Sequence, residues 1–133
     1  MLKIADADTA EHGSNSSNII ISPVACALPN RAAGAPKLSG DDQISLTPET
    51  LLRRIYGADR ATEEYFCNYE VNPVYEQRFR DAGLIVSARG PACEVRAIEI
   101  ADHPFFIATQ FQPQLSARAA EHPVIEAFLK ATA

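Results

Sequence analysis

Three glutamines near the carboxyl-terminal end of the chain follow an apolar run and are the first candidates for a functional site. Residues Phe105–Phe111 are mostly aromatic, β-branched or small and carry no charge, which predicts a strand buried on both faces or nearly so. If the strand continues, its period of two places Gln110, Gln112 and Gln114 on one face. Pro113 indicates that the strand is ending there. Because open α/β sheets bind ligands at the carboxyl ends of their strands, these amides form either a binding edge or the trace of a lost active site.

The three cysteines are spaced too widely for a disulfide framework or a metal site. Cys26, Cys67 and Cys93 include no close pair, so we expect reduced thiols and predict neither a metal nor another cofactor. Cys67 stands beside Asn68 and Tyr69, just before a helix opened by proline, where a side chain could face a cleft. Both a buried, inert thiol, which is the more common state of free cysteine, and a reactive thiol fit that position.

The three histidines are scattered along the chain and predict structural roles. His103 and His122 directly precede proline, as residues at a turn or at the entry to a helix do, and His12 lies in a polar segment. No glycine-rich phosphate loop occurs, because the glycines stand singly at helix ends and turns. Taken alone, these residues indicate an α/β domain with a polar strand end.

Composition limits the classes of partner. The chain has 133 residues, of which 47% are hydrophobic, and this predicts a single core. Its formal net charge is -5 and its basic residues form no cluster, so nucleic acid is not an expected partner. No apolar run approaches the roughly 20 residues that span a bilayer, and the amino terminus lacks the pattern of a signal peptide. We therefore expect a cytoplasmic protein without membrane contact.

Turn and cap residues divide the chain into interleaved helices and strands. Helices are predicted from Thr47-Pro48 to Gly57, from Asn72-Pro73 to Gly83, and from Pro123 onward. Strands are predicted at Ile19–Leu28, Glu63–Val71, Leu84–Ala88, Glu94–Ile100 and Phe105–Phe111. The segment Lys37–Leu46 is predicted to contain one or two short strands around the turn SGDD. This order predicts the α/β class, with the last two strands antiparallel across a short connection.

The domain boundary and the last helix complete the predicted architecture. Residues 1–18 are predicted to be a flexible or helical amino-terminal remnant, and residues 19–133 to be one domain. The last helix is expected to bury an apolar stripe formed by Val124, Ile125, Phe128 and Leu129.

Three separated segments carry a family resemblance: NPVYEQRFRDAGL, VRAIEIADHPFFIATQFQP and PVIEAFLKA. In order and spacing they resemble class I glutamine amidotransferase domains, and they are most similar to the glutaminase domain of CTP synthases. The similarity runs from about Tyr65 to Ala131, and more loosely back to Ile20, which corresponds to the carboxyl-terminal half of that domain. The resemblance implies part of a flavodoxin-like sheet flanked by helices.

The catalytic positions of that family are altered in this chain. In the family, a cysteine on a strand-to-helix elbow attacks the glutamine amide, a histidine takes its proton, and a glutamate two residues further orients the histidine. The resemblance places Gln112 at the histidine position and Gln114 at the glutamate position. No Gly-x-Cys-x-Gly elbow occurs, and Asn68 stands where the family has an arginine that holds glutamine, while Tyr69 is retained. The resemblance thus implies a pseudoenzyme, a catalytically inactive domain with a binding or scaffold role.

The candidate pocket consists of Cys67, Asn68, Tyr69, Gln110 and Gln112, and other functions stay open for it. The chain also resembles a smaller group related to the CTP synthase carboxyl-terminal region, for which a redox-active thiol at Cys67 is an alternative. A second alternative is half of an amidotransferase or CTP synthase-like enzyme, completed by a partner chain or an upstream segment. Because half a sheet exposes an uncovered face, we expect a homo-oligomer or a partner chain that carries the other half. Binding of a small molecule is a further possible function of this pocket.

Overall fold

The chain folds into strands and short helices in interleaved order, which confirms the predicted α/β class. The computed structural model describes residues 2–13, 15–23, 39–116 and 121–133. The strands are β1 (Ala7–Thr9), β2 (Asn18–Pro23), β3 (Ser39–Leu46), β4 (Arg60–Phe66), β5 (Tyr69–Val71), β6 (Leu84–Arg89), β7 (Val95–Ile100) and β8 (Ile107–Thr109). The α-helices are α1 (Leu51–Tyr56), α2 (Glu76–Asp81) and α3 (Pro123–Ala131), with 3₁₀ turns at Ala10–His12, Pro73–Tyr75 and Pro113–Leu115.

The described strands form two sheets. The first has the order β1-β2-β5, with β1 parallel and β5 antiparallel to β2. The second has the order β4-β3-β6-β7-β8 and is antiparallel throughout. Ala97 of β7 lies opposite Thr109 of β8, so the antiparallel pair predicted for the last two strands is confirmed.

Several predicted strand limits differ from the structure. The run Glu63–Val71 was predicted as one strand, but it contributes to β4 and β5, which belong to different sheets. The run Lys37–Leu46 forms a single strand from Ser39 onward, and the turn predicted at SGDD is wrong, because these residues pair with β4. Of the predicted strand Ile19–Leu28, the structure describes the part up to Pro23, and Cys26 lies outside the described residues.

The amino-terminal segment joins the first sheet. Residues Ala7–Thr9 pair in parallel with β2, and one 3₁₀ turn follows at Ala10–His12. A paired strand therefore stands where the sequence predicted a flexible or helical remnant. The boundary at residue 18 stays a prediction.

The helix ends follow the cap residues, with one shift. The N-cap of α1 is Thr50, whose hydroxyl accepts the Arg53 N–H at 3.2 Å, and not Thr47 as predicted. The Thr47 hydroxyl instead donates to the Val86 carbonyl of β6 at 2.8 Å, so it holds this turn on the sheet. Gly57 ends α1 with φ of 64°, a left-handed conformation that favours glycine.

A buried carboxylate fixes α1 to the second sheet. Glu99 of β7 is 5% exposed, and its two oxygens accept the backbone N–H groups of Leu51 at 2.8 Å and Leu52 at 3.1 Å. These N–H groups have no partner inside the helix, so the carboxylate satisfies them and complements the positive end of the helix dipole. A helix of six residues gains much of its stability in this way.

Two groups of buried side chains form the core. The closed cluster lies under α1 and α3 and contains Ile44, Leu46, Leu52, Ala88, Ala97, Phe111 and Val124. The open cluster lies between α2 and the two sheets and contains Val71, Tyr75, Phe79, Leu84, Val86 and Val95. Half-buried aliphatic side chains pack around the open cluster, namely Leu2, Ile4, Ile20, Ile21, Ile98 and Ile100.

The apolar stripe of α3 is buried only in its first turn. Val124 is 9% exposed and Ile125 is half-buried, whereas Phe128 is 51% and Leu129 is 58% exposed. The prediction that all four side chains are buried is therefore wrong for the second half of the helix. Only the amino-terminal end of α3 reaches the closed cluster, because His122 holds that end against the second sheet.

Candidate functional site

The predicted strand Phe105–Phe111 is shorter and more exposed than its sequence suggests. Only Ile107–Thr109 form β8, and Ala108 in its middle is exposed. Phe111 follows the strand and is 2% exposed within the closed cluster. The prediction of a strand buried on both faces is wrong, because β8 is the last strand of its sheet and, among the described strands, pairs with β7 alone.

The three glutamines do not share a face, because the chain leaves the strand before it reaches Gln112. The backbone N–H of Gln110 still donates to the backbone carbonyl of Arg96 on β7 at 2.8 Å. The Gln110 side chain lines an apolar hollow. Gln112 has φ of -122° and ψ of 83° and precedes the 3₁₀ turn that Pro113 opens. Gln114 lies in that turn and is exposed. The condition for aligning the three amides, a strand that continues to Gln114, is therefore not met, and the predicted end of the strand near Pro113 is confirmed.

Gln112 ties the end of β8 to β4. Its backbone N–H donates to the Glu64 carbonyl at 2.9 Å, and its side-chain Nε2 donates to the Phe66 carbonyl at 3.2 Å. The side chain thus acts as a donor to the last residue of β4. An amide of this kind can orient a neighbour but cannot accept a proton near neutral pH.

The other candidate pocket residues lie just after Phe66, whose carbonyl accepts the hydrogen bond from the Gln112 side chain. Cys67 and Asn68 connect β4 to β5 and are half-buried, and Tyr69 opens β5 opposite Pro23 of β2. Gln112 is therefore brought to the segment that carries Cys67 and Asn68, whereas Gln110 opens on the apolar hollow. Cys67 is a free thiol, and its side chain makes no hydrogen bond to the described residues. Cys93 is exposed in the turn between β6 and β7.

A buried trio of titratable side chains, Tyr56, Glu63 and His122, lies at the amino-terminal end of α3. Glu63 is 6% and His122 is 5% exposed. Glu63 accepts hydrogen bonds from the Tyr56 hydroxyl at one oxygen and from the His122 Nε2 at the other, at 3.0 Å. His122 Nδ1 accepts the Val124 N–H at 3.3 Å, which places the ring proton on Nε2. Burial, together with the hydrogen bond and the charge of Glu63, raises the pKa of Tyr56 far above its ordinary value.

The sequence predicted only part of this trio. His122 before Pro123 was predicted to be a helix-entry residue, and it is the N-cap of α3. Its pairing with Glu63 was missed, since the two residues are 59 positions apart. The inward position of Glu63 in an alternating strand was the available signal, because a buried carboxylate requires partners.

An acidic cleft opens beside the trio. It has a volume of about 580 Å³ and is lined by Asp41, Tyr56, Thr62, Glu63, Glu64, Ser116, Glu121, His122 and Pro123. Among the described residues, four carboxylates and no lysine or arginine line it, so this part of the lining carries negative charge that repels anions.

A buried arginine lies on β7 beside the strand end. One nitrogen of Arg96 bonds Asp42 at 3.0 Å and Glu94 at 2.7 Å, and the guanidinium stacks over the Tyr65 ring with its carbon 5.4 Å from the ring centre. Arg96 is 9% exposed. Two carboxylates already balance this cation, so it is a structural charge and does not offer a free positive group to a ligand.

An apolar hollow lies where the two sheets meet. Its volume is about 210 Å³, and it is lined by Ile21, Val71, Phe79, Val95, Ala97, Ile98, Ala108, Thr109 and Gln110. Within the ranges that the structure describes, no group of three or more histidine, cysteine, aspartate or glutamate side chains could hold a metal ion. None of the described helices has the length and apolar character needed to cross a membrane.

Comparison with known proteins agrees with this architecture. No family model matches the chain. The CTP synthase of Caldivirga maquilingensis is 38% identical over 98% of this chain and 24% of its own length. The CTP synthase of Aeropyrum pernix is 40% identical over 84% of this chain and 22% of its own length. The chain thus spans about a quarter of these relatives.

A solved structure supports the same assignment. The glutaminase domain of Trypanosoma brucei CTP synthase, determined with bound acivicin, superimposes with a TM-score of 0.86 and 26% identity. The match covers 98% of this chain and 52% of that domain. Sequence and structure therefore agree that this chain is a class I glutamine amidotransferase-like domain that resembles part of the glutaminase domain of CTP synthase.

Proposed function

We propose that this chain is a CTP synthase-related amidotransferase domain that does not hydrolyse glutamine and has a binding or scaffold role. One observation carries the proposal: Gln112, which corresponds to the general base of the family, donates its side-chain N–H to the Phe66 carbonyl. Glutaminase chemistry requires a group at this position that takes a proton from the nucleophile. A side chain that can only donate or accept a neutral hydrogen bond cannot do so.

The second acid-base position supports the same conclusion. Gln114 corresponds to the glutamate that orients the catalytic histidine, and here it is an uncharged, exposed residue in a 3₁₀ turn. This loss is independent of where the nucleophile comes from. A cysteine supplied by another segment would still meet two amides at the end of β8.

Two of the three histidines, His103 and His122, are engaged elsewhere. Both ring nitrogens of His122 are occupied, one by Val124 and one by Glu63. His103 Nδ1 accepts the Phe105 N–H in the turn before β8, at the opposite end of that strand from Gln112. Neither residue is placed to replace the missing base.

A redox role for Cys67 finds less support. A reactive thiol needs a neighbouring cation, an acid-base partner or a similar group that favours the thiolate. Within the described part of the chain, no ion pair or hydrogen bond of this kind reaches the Cys67 side chain. Thiol-specific labelling near neutral pH, with Cys93 as the exposed reference, is therefore expected to be no faster at Cys67 than at Cys93.

The proposal is tested by measuring ammonia release from glutamine. The purified chain and its Gln112→His/Gln114→Glu double variant are assayed side by side. A sample that contains free cysteine and glutamine without protein gives the background rate of ammonia release. Neither protein is expected to release ammonia above background, since the double variant restores the acid-base pair without a nucleophile. Clear glutamine-dependent release by the unmodified chain would overturn the proposal.

The binding role is tested separately by ligand-induced stabilisation. A ligand that binds only the folded state raises the melting temperature according to its concentration and dissociation constant. Glutamine is expected to produce no shift, because Asn68 stands where family members have the arginine that holds glutamine. A glutamine-dependent shift that is lost in Gln112→Ala would show that the strand end still binds the substrate of the family.

A further inference from the structure

We propose that His122 is a proton-dependent cap of α3: its neutral ring caps the helix, and its protonated ring releases the cap while it stays bound to Glu63. Both hydrogen bonds of this buried side chain take part, one to α3 and one to β4. The device is independent of glutamine hydrolysis and of ligand binding at the end of β8.

The cap of α3 is a nitrogen atom that can take up a proton. His122 is the N-cap residue, and its Nδ1 accepts the Val124 N–H at 3.3 Å. A cap must accept, because the first N–H groups of a helix have no partner within it. Most cap side chains accept with an oxygen, whereas a protonated imidazole has two N–H donors and no acceptor. Proton uptake at Nδ1 therefore removes this cap.

The other ring nitrogen keeps its partner in both states. Nε2 lies 3.0 Å from a carboxylate oxygen of Glu63, and in this pairing it is a donor whether the ring is neutral or charged. Both side chains are buried, so protonation turns the hydrogen bond into a charge-assisted pair with little solvent around it. The rings of Tyr56 and Phe111 also border the imidazole, with ring centres 6.2 and 6.5 Å away. The charged ring thus stays attached to β4 while α3 loses its cap.

Among the described residues, the charges that face the ring from the neighbouring elements are negative. The titratable side chains that line the cleft beside it include four carboxylates, two of them on β4: Asp41, Glu63, Glu64 and Glu121. Tyr56 of α1 is uncharged, because burial and its hydrogen bond to Glu63 raise its pKa. These carboxylates favour the charged form of the ring.

Cations near the ends of α1 and α3 have partners of their own. They form the pairs Arg53 with Asp59, Arg54 with the Glu49 carbonyl, and Lys130 with Glu126. The interactions that favour the neutral ring are therefore those of α3 itself, namely the Val124 N–H and the positive end of the helix dipole. One ring is held between a carboxylate that favours its charged form and a helix end that favours its neutral form.

The first turn of α1 contains a cap that does not titrate. The Thr50 hydroxyl accepts the Arg53 N–H at 3.2 Å, and Thr50 is buried like His122. A threonine hydroxyl keeps its proton over the pH range in which imidazole changes charge. The Arg53 amide is therefore a control within the same molecule.

The test follows both amides by NMR spectroscopy between about pH 8 and pH 5, the range in which imidazole changes charge. Ring nitrogen chemical shifts report the protonation of His122. Solvent exchange of the Val124 and Arg53 amides, divided by the intrinsic exchange rate at each pH, reports the two caps. His122→Asn is the matched variant, because an asparagine oxygen caps a helix without titrating.

The expected result is a selective change at Val124. Its protection from exchange should fall by about fivefold, the effect of an average N-cap, along the titration curve of the His122 ring. Protection of Arg53 should not follow that curve, and neither should protection of Val124 in His122→Asn. Nuclear Overhauser contacts between the rings of His122 and Tyr56 should persist at pH 5, since the charged ring stays on Glu63.

Four results would overturn the proposal. The first is a His122 ring that stays neutral down to pH 5, and the second is Val124 protection that is unchanged when the ring is protonated. The third is an equal fall at Arg53, or a fall at Val124 that persists in His122→Asn. The fourth is loss of the ring contacts with Tyr56, because the ring would then have left Glu63. If His122→Asn does not fold, the comparison of Val124 with Arg53 in the unmodified chain decides by itself.

Discussion

The closed and open clusters differ in how completely their surroundings exclude water. In the closed cluster, Leu52 and Ala88 are 0% exposed and Ile44 is 1% exposed, under a cover formed by α1 and α3. The open cluster has a buried centre at Phe79 and Val95, but its outer ring consists of half-buried isoleucines and leads into the hollow. Within the described part of the chain, the closed cluster is thus fully covered and the open cluster is covered only in part.

Polar interactions follow the same division. The closed cluster is bordered by Glu99, which holds α1, and by Glu63, which holds both α1 and α3 through Tyr56 and His122. Each of these carboxylates is buried and uses both oxygens. At the open cluster, the main ion pair is the partly exposed one between Glu76 and Arg89. Buried, fully paired groups fix a structure more firmly than exposed pairs, so the two regions are expected to respond differently to substitution.

The largest difference is expected for truncation of the two clusters. Leu52→Ala should lower the free energy of unfolding by about 2 to 5 kcal/mol, because it leaves a cavity in a fully packed site. Ile21→Ala should cost about 1 to 2 kcal/mol, since that side chain is half-buried and already borders the hollow. Urea denaturation of both variants and of the control Leu129→Ala measures the difference. Equal costs at the two sites would show that the hollow does not weaken its surroundings.

A smaller effect is expected from separating the two roles of His122. His122→Asn keeps a side chain that caps helices well, but it is too short to reach Glu63. The buried carboxylate then loses one partner, which should lower the free energy of unfolding by about 1 to 3 kcal/mol. His122→Ala removes the cap as well and should cost more. If the two variants are equally stable, the cap contributes nothing and the pairing with Glu63 accounts for the whole effect.

The smallest effect is expected at the ion pair beside the open cluster. The pKa of Glu76 is lowered, mainly by hydrogen bonds from Arg89. Partial burial of the carboxyl acts in the opposite direction, and the positive charges of Arg89 and Arg80 lower the pKa further. A carboxyl whose pKa is lowered in the folded state stabilises the protein above its unfolded-state pKa, and this contribution disappears as the pH falls through the folded-state pKa. Glu76→Gln should therefore cost up to about 1 kcal/mol at pH 7, and the difference should shrink as the pH falls below about 4.3.

A matched surface pair serves as the control for that measurement. Glu126 and Lys130 of α3 are spaced by four residues like Glu76 and Arg80, but their side chains are 56% and 74% exposed. Glu126→Gln is expected to change the free energy of unfolding in urea little, both at pH 7 and below about pH 4.3, because solvent screens such pairs. A pH-dependent loss as large as that of Glu76→Gln would mean that the Glu76–Arg89 geometry is unimportant.

Local signals in the sequence predicted the helices well. Asn72 with Pro73, and Pro123 after His122, mark helix starts because capping and the fixed proline dihedral act over a few residues. Gly57 and Gly83 mark the ends, with φ of 64° and 81°. The sequence predicts Thr47 as the cap of the first helix, but the contact of Thr47 with Val86 on β6, 39 residues away, cannot be read from neighbouring residues.

Long-range contacts explain what the sequence could not predict. The apolar run before Gln110 suggested a central buried strand, but its position at the edge of the sheet depends on strand pairing. The single face predicted for the glutamines was lost because Phe111 turns into the closed cluster and Gln112 bonds to β4. The assignment of Gln112 and Gln114 to the catalytic positions of the family, by contrast, is a prediction from the resemblance, since it depends on residue identity and not on geometry.

The brevity of β8 has a consequence for solubility. A strand at the edge of a sheet leaves a row of backbone N–H and C=O groups that can template the addition of other chains and start aggregation. Among the described strands, none pairs with the outer edge of β8, which is three residues long. Pro104 lies shortly before this edge and Pro113 shortly after it, and neither proline can donate a backbone hydrogen bond. The protein can therefore keep an apolar hollow at its surface without presenting the long, regular edge on which fibrils grow.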